Sequence, residues 1–272
     1  MQKYNLEPDV LMDQHFMIDE SILDRMVDLS NLKVYESVLD IGAGYGNLTR
    51  KIADRKPKMV YAIEKDERFL PVLKEELAHY QNVEIIIDDI LKMKLPQIKK
   101  IVSNTPYSIS EALLQKLIYQ RFESAVMTFP KPFVDRITAK PTDNNYTKLS
   151  LMASVVYDIN IEDNLPPEVF YPPPKVSSTL VTMIPQNSTD FRTYLTRSLF
   201  LQRDKKVKNA LREALIQYFD VVEGKKMTKK ESKEIINSIS LNYELLEKSI
   251  PILSLESIKK IVNTIAEKSS IT

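Results

Sequence analysis

The sequence predicts an α/β fold: a parallel sheet covered by helices on both faces, followed by a smaller module made only of helices. Two observations carry that reading. From about residue 34 to 185, short β-rich runs alternate with amphipathic stretches, and after Pro185 only helical patterns remain. Strands that alternate with helices need long crossovers, which makes the strands parallel and puts helices on both faces. A third observation locates the ligand end of such a sheet. Three of the four glycines, Gly42, Gly44 and Gly46, lie within five residues, directly after the first β-rich run. At an average usage of about 7% the chain would carry roughly 19 glycines, so the cluster marks a turn that needs them.

The predicted strands are ESVLDIG (36–42), MVYAIEK (59–65), VEIIID (83–88), KKIVSN (99–104) and ESAVMTF (123–129). Between the second and third, DERFLPVLKEELAHY (66–80) repeats apolar residues at three- and four-residue spacing and reads as a helix. VVYDINI (155–161) and STLVTMI (178–184) flank a proline-rich loop and read as adjacent antiparallel strands at a sheet edge. Helices are predicted over 205–219, 229–239 and 255–268. These patterns place a domain boundary near residue 186, with domains 1–185 and 186–272.

Composition removes several classes. The chain of 272 residues has no cysteine, which excludes disulfides, thiol catalysis and cysteine-held metals. His15 and His79 are the only histidines, so no metal site is expected. No long apolar run and no targeting pattern is present, which predicts a cytoplasmic protein without a membrane partner. The net charge of +1 does not by itself point to nucleic acid, so that question rests on local charge.

The run VLDI enters Gly42-Ala43-Gly44-Tyr45-Gly46, and a helical pattern follows. Glycines at such a turn let a ligand approach the backbone, although the G-x-G-x-G spacing departs from the dinucleotide fingerprint. A tight turn in any doubly wound sheet is the plain alternative. Glu64 lies 20 residues beyond Gly44, at the end of the second strand, where a carboxylate accepts bonds from ribose hydroxyls. Asp89 follows the third strand. These points fall at the carboxyl ends of neighbouring strands, the usual ligand crevice, and together favour an adenosine-containing cofactor.

The fourth strand ends in Ser103-Asn104-Thr105-Pro106-Tyr107. An exocyclic adenine amine is a poor nucleophile because its lone pair is delocalised into the ring. A side-chain oxygen of Asn104 and a backbone carbonyl presented by the Pro106 turn, both accepting N6–H, favour a pyramidal nitrogen. Tyr107 is placed to stack on an unpaired base.

With these residues the sequence resembles the S-adenosylmethionine-dependent rRNA adenine N6-dimethyltransferases, in particular the small-subunit group of archaea and eukaryotes. The resemblance spans roughly residues 13 to 215 and rests on an ordered series. The series is QHFM (14–17), LDIGAGYGNLT (39–49), Glu64, DDIL (88–91), NTPY (104–107), VFYPPPKVSS (169–178) and SLFLQRDKKVKNAL (198–211). It implies a Rossmann-like class I methyltransferase fold with a mostly parallel seven-stranded sheet, S-adenosylmethionine as cofactor, and a helical RNA-binding domain. His15 and Met17 would touch the cofactor, and Gly42 and Gly44 would pass its methionine part. Glu64 would hold the ribose and Asp89 the adenine amine. Asn104 with Pro106 would take the target N6, with Tyr107 and Phe170 as the aromatic walls of the base pocket. Departures are Asp13, Asp88 and Thr147 where the family often has glycine, Thr105 where leucine is common, and the loop Pro130-Lys131-Pro132-Phe133.

The implied substrate is small-subunit rRNA in an immature small ribosomal subunit, dimethylated at two adjacent adenosines near its 3′ end by a monomeric enzyme. Lys175, Arg203, Lys205, Lys206 and Lys208 are the candidate phosphate contacts, and Lys131, Arg136, Lys140 and Lys148 would extend that surface. A solvated helix face is the ordinary alternative for such a run. Three other functions remain open at this point. They are a large-subunit methylase of the antibiotic-resistance type, a non-catalytic assembly or transcription factor on the same fold, and a nicotinamide oxidoreductase, which the glycine spacing and NTPY disfavour.

Overall fold

A computed structural model describes residues 6–9, 13–186, 188–202, 204–238 and 243–268. In chain order the elements begin β1 (Phe16–Met17), α1 (Glu20–Leu29), β2 (Ser37–Ile41), α2 (Asn47–Asp54), β3 (Met59–Glu64), α3 (Leu70–Glu76) and β4 (Val83–Ile87). They continue β5 (Lys100–Asn104), α4 (Ser110–Leu117), β6 (Ser124–Pro130), α5 (Lys131–Ile137), α6 (Lys148–Val156), β7 (Tyr157–Leu165), β8 (Phe170–Tyr171) and β9 (Ser178–Pro185). Five helices follow: α7 (Phe191–Leu201), α8 (Val207–Val221), α9 (Lys229–Ser238), α10 (Tyr243–Glu247) and α11 (Leu255–Lys268).

Seven strands form one sheet in the order β4-β3-β2-β5-β6-β9-β7. The first five are parallel, and β9 runs antiparallel to β6. β9 and β7 are neighbours at one edge, as the two runs around the proline loop predict. Successive strand residues point to opposite faces, and both Val38 and Leu39 of β2 are fully buried. A strand covered on both sides reads as a continuous apolar run, which is why the central strands were visible in the sequence. On one face, Leu23, Met26 and Val27 of α1 join Leu48 and Ile52 of α2 against Val38, Val60, Val102 and Val126. Their three- and four-residue spacings make one apolar stripe per helix. Helix α1 starts where the Asp19 carboxylate accepts the N–H of Ser21 at 2.9 Å and of Ile22 at 3.2 Å.

The strand order reverses at β2. β3 and β4 lie on one side of it, β5 and β6 on the other. The carboxyl ends of β2 and β5 therefore flank the switch point, where open α/β sheets bind their ligands.

Two elements differ from the sequence reading. The helix expected over 66–80 is a 3-10 turn, Glu67–Phe69, followed by the short α3. Pro71 has no N–H and a fixed φ, so it is accepted only in a first helical turn, and the α-helix starts beside it. The strand expected from 155 starts at Tyr157, because Val155 and Val156 finish α6 and extended backbone begins at φ −130°. At the other end of that helix, Ser150 Oγ accepts the Thr147 N–H at 2.9 Å and the Thr147 side chain accepts the Ser150 N–H, a capping box that gives the threonine in the family's glycine position a task.

The chain divides into two compact units. One holds the residues up to Asp135 with Asp158–Pro185; the other holds Arg136–Tyr157 with the residues from Gln186 onward. The second unit thus takes in α6 besides the tail delimited from the sequence. Its interior is built from α7, α8 and α11, with Leu195, Leu199, Leu211, Leu215, Ile258 and Ile261 fully buried. Lys148 of α6 donates from Nζ to the carbonyls of Ile250, Pro251 and Leu253 at 3.2, 2.8 and 3.3 Å. Burial lowers its pKa. This lysine holds the second unit together and is withdrawn from the cationic surface expected of it. Among the described residues, no helix is long and apolar enough to cross a membrane.

Leu39→Ala empties a fully buried site at the centre of the sheet. Urea denaturation is expected to show a loss of about 2–5 kcal/mol with little change in the slope of the transition.

Candidate active site

The glycine turn is fixed from two sides. The N–H groups of Gly42 and Ala43 both donate to the Ile63 carbonyl of β3, at 2.8 and 3.0 Å. The Gly44 N–H donates to Glu64 Oε2 at 2.8 Å, while Glu64 Oε1 accepts from the N–H groups of Lys65 and Asp66 at 2.8 and 2.9 Å. Glu64 is buried, and burial raises its pKa against the lowering pull of these three donors. Gly44 has φ +52°, and a Cβ there would collide with the ring of Phe16. That ring sits in an aromatic cluster with Tyr45 and Phe69, at centroid distances of 4.9 and 5.4 Å.

Residues 13–18 cross the carboxyl end of the sheet as a strap. Met17 pairs with Phe170 and Phe16 with Tyr171 in the small β1–β8 ladder. The Ile18 N–H donates to the Val169 carbonyl at 2.9 Å. Gln14 Nε2 donates to Asp66 Oδ2 at 2.8 Å, and Asp13 Oδ2 accepts the Ser108 N–H. His15 Nδ1 lies 2.7 Å from the Pro172 carbonyl. Asp13 has φ +60°, a region open to glycine and tolerated by aspartate, whose short polar side chain bonds locally. The family's glycine position is thus filled by a residue that keeps the left-handed turn and adds a tie to the 105–108 loop.

Between strap and sheet lies a cavity of about 350 Å³, lined by His15, Phe16, Gly42, Glu64, Asp88, Asp89, Asn104, Pro106 and Tyr107. Gly42 is at the narrow side, where a Cβ would come 3.2 Å from the Pro106 ring. Asp89 Oδ1 accepts the Leu91 N–H at 2.9 Å, and its Oδ2 lies 3.1 Å from Lys65 Nζ. The backbone bond first and the lysine second hold its pKa low, so it is an ionised acceptor. Asn104 Nδ2 donates to the His15 carbonyl at 2.9 Å, and its Oδ1 accepts the Thr128 hydroxyl at 2.7 Å. The Tyr107 ring stands 5.7 Å from the His15 ring at 28°, and its hydroxyl bonds to Ser178.

The structure brings His15, Gly42, Glu64, Asp89, Asn104, Pro106 and Tyr107 to one cavity. Gly44, Met17 and Phe170 do not line it. Gly44 lies behind Phe16, and its amide is taken by Glu64. Met17 and Phe170 are 3% and 2% exposed and belong to the apolar cluster of α1 and α2. Alternation along β8 turns Phe170 inward and leaves Tyr171 outward, so the expected second aromatic wall is a core residue. Thr105 is buried and its hydroxyl lies 3.2 Å from Ser103 Oγ, which itself donates to the Ile41 carbonyl at 2.9 Å.

Asp40 was not singled out by the sequence. It is fully buried at the end of β2 and accepts the Thr49 hydroxyl at 2.6 Å. Burial first pushes its pKa up to about 7, with the Glu64 charge adding to the rise and the Thr49 bond opposing it. A carboxylate inside an apparently buried strand, followed by a threonine in the first turn of the next helix, was the available signal.

The candidate phosphate contacts divide. Lys175 is exposed in the loop before β9. Lys205 pairs with Glu213, whereas Lys206 and Lys208 share Glu247. These two lysines bring the Glu247 pKa down to about 2. Arg203 lies outside the described residues.

The cavity's donors and acceptors suit S-adenosylmethionine: an acidic acceptor at the end of β3, an ionised acceptor after β4, and apolar walls from Ile41, Ile63, Ile90 and Ile109. This fold and site define a class I methyltransferase dependent on S-adenosylmethionine. The family model described as "Ribosomal RNA adenine dimethylase" matches residues 11–244. A protein of Thermococcus sibiricus, "Probable ribosomal RNA small subunit methyltransferase A", is 38% identical over 217 residues, 79% of each chain. A protein of the same name from Methanococcoides burtonii is 39% identical, covering 78% of this chain and 80% of its own. The crystal structure of a dimethyladenosine transferase from Plasmodium falciparum superposes with a TM-score of 0.63 at 26% identity, over 94% of this chain and 98% of that one. That of the 23S rRNA methyltransferase ErmE gives 0.60 at 19% identity, over 92% and 99%, a likeness of fold. The chain belongs to the ribosomal RNA adenine dimethylase family. It is an S-adenosylmethionine-dependent rRNA adenine dimethyltransferase, and its substrate is ribosomal RNA.

The pKa of Asp40 gives a signed expectation. The folded protein keeps this proton up to about pH 7, whereas an unfolded aspartate releases it near 4. Between those values the native state binds more protons than the unfolded one, so this group makes stability fall as pH rises. Asp40→Asn removes that dependence. Denaturation at pH 4.5 and pH 8 is expected to show the variant gaining on the parent at the higher pH, by at most ~1.4 kcal/mol per pH unit crossed.

Proposed function

We propose that this enzyme transfers two methyl groups to N6 of each of two adjacent adenosines near the 3′ end of small-subunit rRNA. The target would be an immature small ribosomal subunit, met by a monomer in the cytoplasm. The single observation that carries the site assignment is the placement of Asn104. It ends β5 beside the cofactor cavity, with its amide held at both ends. The curated relatives are named for the small subunit, and the FYPPPKV and LQRDKKVKNAL stretches match the same group.

S-adenosylmethionine supplies an electrophilic methyl on a cationic sulfur. Glu64 holds the ribose by accepting a hydroxyl with the one lone pair its three backbone donors leave over. Asp89 accepts from the adenine amine of the cofactor. Gly42 leaves the backbone bare where the methionine part lies. Asn104 Oδ1 and a carbonyl of the Thr105–Pro106 turn accept the N6–H bonds of the target base, two before the first transfer and one before the second. That draws the nitrogen toward a pyramidal shape and aims its lone pair at the methyl. Tyr107 stacks on the base, with its ring fixed through the Ser178 bond. No strong general base is required, because the electrophile carries the charge. Positioning of nitrogen against methyl does most of the work.

The helical second unit is the RNA-binding part of this proposal. Its Lys205, Lys206 and Lys208, with Arg203, would touch phosphates, and Lys175 of the first unit would do the same, reading RNA shape and an unpaired adenine more than a base sequence. Transfer of labelled methyl to isolated small subunits or their RNA, with mass spectrometry of the modified fragment, tests the target and the number of methyls. Modification of large-subunit RNA alone would replace the proposal with the antibiotic-resistance type. Asn104→Ala is expected to cut transfer by roughly a hundredfold while cofactor affinity, measured by calorimetry, stays nearly constant. A collapse of affinity with normal turnover at saturation would remove Asn104 from the chemistry.

A further inference from the structure

Asn104 can assist the target amine only if its amide presents oxygen to it. A rotated amide would offer N–H groups instead, which repel N6–H. The side chain therefore needs fixing about its terminal bond, which on its own is a broad, roughly two-fold torsion. Two partners fix it. The His15 carbonyl can only accept, so it claims the Nδ2 end, at 2.9 Å. The other end is then the oxygen, and the Thr128 hydroxyl that meets it at 2.7 Å must donate.

Thr128 is placed for this by the sheet. β5 and β6 are parallel neighbours whose register pairs Asn104 directly with Thr128. Its side chain is wholly buried, so it is closed to RNA and solvent. A buried hydroxyl left without a partner is costly, and Asn104 Oδ1 is the partner this one has. The oxygen keeps a second lone pair, which is the one left for N6–H.

We infer that Thr128 is a positioning residue for methyl transfer: its hydroxyl locks the Asn104 amide so that the remaining lone pair of Oδ1 faces the target amine. This rests on the role proposed for Asn104. It adds a residue from β6, outside the motif strands that line the cavity, to the reaction. The threonine acts on the rate of transfer and on neither the cofactor nor the RNA directly.

The test compares Thr128→Val, which keeps the shape and removes the donor, with Thr128→Ser, which keeps the donor. The full-length protein is used, with S-adenosylmethionine and small-subunit RNA or subunits. Thr128→Val is expected to lower kcat by roughly tenfold to a hundredfold, with KM for RNA and the cofactor Kd within about twofold. Thr128→Ser is expected to recover most of the loss, which a packing role would not allow. In an Asn104→Ala background, Thr128→Val should cost nothing further, since the residue it positions is gone. Thr128→Val with parental kcat, while Asn104→Ala shows its expected loss, overturns the inference and spares the Asn104 assignment. Equal losses in the valine and serine variants, or a loss that appears in cofactor Kd, overturn it as well. If Asn104→Ala itself transfers normally, the site reading has failed and the inference falls with it.

Discussion

The buried carboxylate of Glu64 is the constraint on which the rest of the site depends. A carboxylate taken from water needs compensation, and three backbone N–H groups provide it. Two of those donors follow β3, but the third belongs to Gly44, in the turn after β2. One side chain thereby fixes the relative placement of two strand ends, and with them the floor of the cavity. The Gly42 and Ala43 bonds to the Ile63 carbonyl act in the same direction. A turn stitched this closely to its neighbour has little freedom to rearrange when a ligand arrives, which is what preorganisation requires.

The strap of residues 13–18 completes this arrangement from above. It reaches β5 through the His15 carbonyl, the 105–108 loop through Asp13, the turn after β3 through Gln14, and the proline loop through His15. The cavity and Asn104 are therefore closed by the same six residues. Phe16 links them further, because its ring occupies the space that Gly44 leaves open.

Much of this was legible in the sequence, for identifiable reasons. The five parallel strands showed because burial on both faces writes continuous apolar runs. The cavity residues Gly42, Glu64, Asp89 and Asn104 showed because each lies at or just past a strand end, and strand ends are easy to number. What was not legible was side-chain direction in elements too short to carry a pattern. Two-residue β8 gives no alternation to read, and Phe170 turned out to face the core. Asp13 looked like an irregularity until its positive φ gave it a reason. Helix α6 was hidden by a valine pair that resembles a strand. Thr128 depended on register between β5 and β6, a long-range fact that no local window contains.

The ion pairs at the start of α8 change how the cationic tail acts on a polyanion. Lys205, Lys206 and Lys208 already hold carboxylate partners, so phosphate must compete with Glu213 and Glu247 for them. If RNA engages these lysines as proposed, the contact would be an exchange of anions rather than the neutralisation of bare charge. The carboxylates set free would take up small cations, offsetting part of those the phosphates release, and binding would depend less steeply on salt than three lysines imply.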